Sequence, residues 1–115
     1  MNPVLMPLFA PRVQGFLIDV FSYDPAKLIA KVTKPTLILQ GKRDLQVGVA
    51  DAERLKQAAP SAKLMLLDDT NHVLKTVTSD DRRANAATYA NPRLPLAPGV
   101  VDAVADFVNS ATKTP

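Results

Sequence analysis

Two short, continuous apolar runs with one helix-length stretch between them constrain this chain more than any other feature. Residues 36–40 (Thr-Leu-Ile-Leu-Gln) lie between Pro35 and Gly41, and residues 63–67 (Lys-Leu-Met-Leu-Leu) end at Asp68 and Asp69. Runs of this length without polar alternation read as strands covered on both faces. Between them, residues 51–59 put Ala52, Leu55 and Ala59 on one side of a helix, and Pro60 stops it. Strand, helix and strand within about thirty residues form a crossover unit, which makes the strands parallel and favours a right-handed connection. The expected fold class is therefore α/β.

The flanks read as helical. Pro3, Pro7 and Pro11 break up the opening segment, and a helix is expected to begin at Pro11. Val13, Phe16, Leu17, Val20 and Phe21 then follow the spacing of one buried helical stripe, which Gly15 weakens slightly. Asp24-Pro25 reads as N-cap and first position of a short helix through Lys31, with Leu28, Ile29 and Val32 apolar; Lys34-Pro35 ends it. Near the C-terminus, Pro98-Gly99 opens the clearest stripe of all: Val100, Val101, Val104, Phe107, Val108 and Ala111, expected to pack on a sheet face. Between His72 and that helix, residues 73–98 read as one long connection containing Asp80-Asp81-Arg82-Arg83. Connections of that length tend to be functional or mobile.

Composition removes several classes of function. The net charge is +3, but the 14 Lys and Arg are scattered and aromatics are only 5% of the chain, so no basic stacking surface for nucleic acid is expected. No stretch approaches the roughly 20 apolar residues of a membrane span. The opening residues lack a basic flank ahead of the apolar run, which argues against a secretory signal and makes the cytoplasm the default location. With no cysteine and one histidine, disulfides, thiolate metal sites and His-rich metal sites are all excluded. No cofactor is expected. At 115 residues the chain is long enough for one domain and too short for two of ordinary size.

In parallel sheets, reactive groups gather beyond the carboxyl ends of the strands. Asp44 follows the first run by a Gly-Lys-Arg step, and His72 follows the second by Asp-Asp-Thr-Asn. Each has a bland reading alone: Asp44 as a turn former or helix cap, His72 as a surface or satisfied core residue. On adjacent strands they can meet, and the carboxylate can then fix the imidazole tautomer that leaves the second ring nitrogen as a base. Asp68 and Asp69 offer a competing site for Mg²⁺ or a phosphoryl group. Asp68 is better explained by strand-end solvation, since no phosphate-binding glycine loop accompanies it.

The sequence Pro35-Thr-Leu-Ile-Leu-Gln-Gly-Lys-Arg-Asp-Leu-Gln-Val47, a helix, and then Lys63-Leu-Met-Leu-Leu-Asp-Asp-Thr-Asn-His72 resembles the C-terminal part of an α/β-hydrolase of the serine-aminopeptidase or monoglyceride-lipase-like kind. Acid before histidine is the back half of the Ser…Asp…His order of that fold. The resemblance implies Asp44 as triad acid and His72 as triad base. It extends over residues 1–32 as the end of a lid and a helical segment, and over residues 33–115 as acid strand, helix, histidine strand and closing helix, making residues 1–115 a single partial domain. No Gly-x-Ser-x-Gly elbow occurs, and Ser22, Ser61, Ser79 and Ser110 lack its flanking glycines.

The expected function is therefore the Asp/His-bearing portion of a serine hydrolase acting on an ester or amide. It is expected to be inactive alone and either excised from a longer polypeptide or completed in trans. The alternative is a non-catalytic oligomeric binding or structural module derived from such a hydrolase. An unpaired strand 36–40 should seek a partner, either a second copy or a chain carrying the N-terminal half.

Overall fold

The computed structural model describes residues 6–113. Strand β1 (Leu37–Gly41) and strand β2 (Lys63–Leu67) lie side by side and parallel, with Leu37 opposite Lys63 and Gly41 opposite Leu67. Helix α3 (Val49–Ala58) connects them, so the crossover unit read from the sequence is present and the chain is of the mixed α/β kind. The first strand sits one residue later than residues 36–40.

One face of this sheet carries the core. Ile38 and Leu64 are register partners, and Ala52 and Ala62 lie buried against Ile38 with Leu55 and Ala59 packed around them. Alanines at 52 and 59 let α3 approach closely, as the helical spacing anticipates. Burying Ile38 contributes about 2 kcal/mol. Helix α2 (Pro25–Ile29) adds Ile29 to the same cluster and ends before Lys31, two residues short of expectation. Its N-cap is Asp24, whose carboxylate accepts the Ala26 N–H at 3.0 Å and also meets Arg54 of α3 at 3.3 Å. At the start of α3, the Asp51 side chain accepts the N–H of Gly48.

The flanking helices form where expected but bury little. A 3₁₀ turn at Met6–Phe9 precedes α1 (Pro11–Ser22); the expectation for Pro3 falls outside the described residues. The stripe assigned to α1 is not buried: Val13 and Leu17 are half-buried, while Phe16, Val20 and Phe21 are exposed, Phe21 by 78%. Helical spacing was right about the conformation of this segment and wrong about its cover. The last helix, α5 (Val100–Thr112), buries Val100 and Ala103, half-buries Phe107 and Ala111 and leaves Val101, Val104 and Val108 exposed, so only one side of the expected stripe is covered.

β1 also departs from the reading of a strand covered on both faces. Ile38 and Gln40 are buried on the α3 side, whereas Leu37 and Leu39 are half-buried. Bonds from Lys63 N–H to the Thr36 carbonyl and from Lys42 N–H to the Leu67 carbonyl frame the β1–β2 ladder. Parallel alternation then turns the backbone groups of Ile38 and Gln40 toward β2 and those of Leu37 and Leu39 toward the opposite, open edge. The radius of gyration is 16.8 Å, against about 13 Å for a compact domain of similar length. Residues 73–98 are not one irregular loop either: they contain α4 (Arg82–Ala87), capped by the Asp81 side chain on the Arg83 N–H. Among the described residues no helix is long and apolar enough to cross a membrane.

Candidate active site

Beyond the carboxyl end of β1 the chain turns sharply around one carboxylate. Asp44 Oδ1 accepts the N–H groups of Gln46 at 2.8 Å and Val47 at 3.0 Å, which closes the turn that leads into α3. With Oδ1 engaged, Oδ2 is the oxygen left to face outward from the turn. Gln40, a buried polar residue next to the end of β1, braces this loop: its Nε2 donates to the carbonyls of Gly41 and Val47, both at 2.9 Å, and lies 3.5 Å from Asp44 Oδ2.

Beyond β2 the chain folds into a short hairpin. Thr70 and Thr76 form an antiparallel bridge, the Val77 N–H reaches the Asp69 carbonyl at 2.7 Å, and Asn71 and Lys75 are joined by the Asn71 N–H on the Lys75 carbonyl. His72 stands at its tip. Two residues in the left-handed region, Asp69 at φ 44° and Leu74 at φ 59°, bend the chain into and out of that tip.

The two loops touch through backbone as well as side chains. Arg43 N–H donates to the Thr70 carbonyl at 2.9 Å. That carbonyl lies so close over Gly41 that a Cβ there would sit 2.2 Å from its oxygen, which only glycine tolerates. The convergence brings His72 Nδ1 to 2.8 Å from Asp44 Oδ2, with the carboxylate side chain 7% exposed and the imidazole 39% exposed.

Electrostatics sets the direction of this bond. Burial pushes the Asp44 carboxyl up, but the Val47 N–H, the His72 ring and the Gln46 N–H outweigh it and hold the group below the ordinary aspartate value. An ionised carboxylate only accepts, so the proton between the two groups belongs to Nδ1. No described residue bonds Nε2. In the neutral ring the arrangement therefore fixes the tautomer that leaves Nε2 without a proton, as a base requires.

The other candidates separate from this pair. Lys42 meets Asp68 at 2.6 Å and holds its carboxyl below the usual range, while Asp69 pairs with Arg43, which also pairs with Asp80. Among the described residues no hydroxyl is hydrogen-bonded to the His72 ring. Ser22 and Ser110 donate to carbonyls of their own helices, Ser79 accepts the Asp81 N–H, and Ser61 is exposed in the turn before β2.

Sequence reasoning missed Gln40, Asn71, Asn85 and Thr88. Gln40 had a readable signal, a polar residue closing an apolar run. The other three are buried together behind the two loops, and no spacing marks them. No protein-family model matches the chain, and no curated protein matches it.

Proposed function

We propose that Asp44 and His72 are the acid and base of a serine-hydrolase relay of the α/β-hydrolase kind, acting on an ester or amide when a serine from outside this sequence is brought to His72. The observation that carries the reading is the 2.8 Å bond from Nδ1 to Oδ2, made by a carboxylate whose other oxygen is already held by two backbone N–H groups. His72 Nε2 would take the serine hydroxyl proton as the oxygen attacks the carbonyl carbon, and then return it to the departing alcohol or amine. Water attacking the acyl-serine would repeat the transfer. Asp44 stabilises the imidazolium at each stage without itself gaining a proton.

The sequence holds no Gly-x-Ser-x-Gly elbow, and the oxyanion donors that dominate the rate in acyl transfer would come with the loop that supplies the serine. Hydrolysis of p-nitrophenyl esters by the isolated chain should be negligible. Fluorophosphonate labelling of proteins from the source cell, with added wild-type or His72→Ala chain, tests the relay. A band that needs an intact His72 supports it, and labelling indifferent to residue 72 overturns it.

A second reading, an oligomeric binding module, is favoured by different observations, the open edge of β1 and the exposed apolar side chains of α1 and α5. In either reading the partner, a second copy or a chain carrying the N-terminal half, would pair along Leu37 and Leu39. Leu39→Pro removes an N–H from the open edge while sparing the bonds to β2. Light scattering should show association lost in this variant, and a wild-type monomer in solution would count against pairing between copies.

A further inference from the structure

Asn85 of α4 is 3% exposed, and its side chain is bonded at both ends to the loops that carry the candidate pair. Its Nδ2 donates to the carbonyl of Arg43, the residue before Asp44, at 2.8 Å. Its Oδ1 accepts from Nδ2 of Asn71, the residue before His72, at 3.1 Å. Asn71, fully buried, spends its second N–H on Thr88 Oγ1 at 2.6 Å, and its Oδ1 accepts the Lys75 N–H at 3.0 Å. Thr88 in turn donates its hydroxyl to the Asn85 carbonyl at 2.8 Å.

The polarity of this chain of bonds is forced by its ends. The Lys75 N–H can only donate, so Asn71 must present oxygen to it and nitrogen to Asn85. The Arg43 carbonyl can only accept, so Asn85 must present nitrogen there and oxygen to Asn71. One side chain on a third element thus spans the residues that precede the acid and the histidine.

We infer that Asn85 is a positioning residue that sets the spacing of Asp44 and His72, with Asn71 and Thr88 fixing its orientation. The inference rests on the relay proposed above. Asn85 touches neither reacting group. It acts by holding the Arg43 carbonyl and the Asn71 amide at a set separation, so that Oδ2 and Nδ1 meet. An amide suits this task because it donates and accepts along one rigid plane. A carboxylate of the same shape would set oxygen against the Arg43 carbonyl.

The chain has one histidine, so its ring ¹⁵N resonances report His72 alone. Recorded at a pH where the ring is neutral, wild type should show the Nδ1–H tautomer, and Asp44→Ala should return the ring toward the Nε2–H form favoured by an unconstrained imidazole. Asn85→Asp should lower the Nδ1–H to Nε2–H ratio by about fivefold, the effect of one hydrogen bond of ordinary net strength. Thr88→Ser should keep the wild-type ratio. Ile38→Val, a core change away from the loops, should also leave it alone, which separates positioning from general loosening. If Asn85→Asp does not fold, Thr88→Val removes one Asn71 partner while leaving the Arg43 bond and should move the ratio the same way.

A ring indifferent to Asp44→Ala would overturn the relay itself. A ring that responds to Asp44→Ala but not to Asn85→Asp or Thr88→Val would overturn the positioning role and leave the relay standing.

Discussion

The carboxyl edge of the sheet and the two long helices are built on opposite principles. At the edge, residues 40–48 and 69–77 and the helix Arg82–Ala87 are tied by buried amides, a carboxylate and backbone bonds, and among the described residues every buried side-chain nitrogen and oxygen has a partner. In α1 and most of α5 the groups that ought to be enclosed are large, apolar and open to water. Order here is concentrated where two loops meet, while the apolar flanks leave large side chains open to water.

That contrast can be tested from the strongest effect downward. Gly41→Ala should be the most damaging change, because the new methyl meets the Thr70 carbonyl, which is backbone and cannot turn aside. We expect about 3 kcal/mol of lost stability or more in urea unfolding, at the upper end of overpacking costs. A near-neutral result would mean that the two loops are not held as tightly as described.

Asp44→Asn should come next, and its effect should depend on pH. The native Asp44 value lies below its unfolded one, so its contribution is fully present above the unfolded value of about 3.9 and is lost as pH falls through the lower native value. The variant should therefore be less stable than wild type at neutral pH, with the two curves converging in acid. A pH-independent difference in thermal unfolding would place the loss in packing rather than charge.

Phe16→Ser and Phe21→Ser should do least, each within about 0.5 kcal/mol in the isolated chain. A large loss would show that α1 is covered, and the comparison would dissolve.

The crossover unit was legible because each of its signals is local. Pro35 precedes one strand and Gly41 ends it, Pro60 precedes the other, and Ala52, Leu55 and Ala59 repeat at helical spacing. The meeting of Asp44 and His72 was legible for a related reason, since parallel neighbours of equal length bring the loops after them to one rim. Helix α4 was hidden by its own sequence: Asp80-Asp81-Arg82-Arg83 reads as a solvated charge run, although Asp81 is an N-cap and Ala84, Ala86 and Ala87 favour helix. The link from Asn71 to Asn85 could not be read at all, because two amides facing each other leave no periodic trace. In α1 and α5 the spacing shows which side is apolar and is silent on what lies against it.

The bond from the Arg43 N–H to the Thr70 carbonyl carries one more consequence. It exists only when Gly41 stands opposite Leu67, and a slip of one residue along β2 would also turn Leu64 away from α3. A mispaired sheet would therefore separate the Asp44 carboxylate from the His72 ring, so the 2.8 Å bond between them exists only in molecules threaded in step.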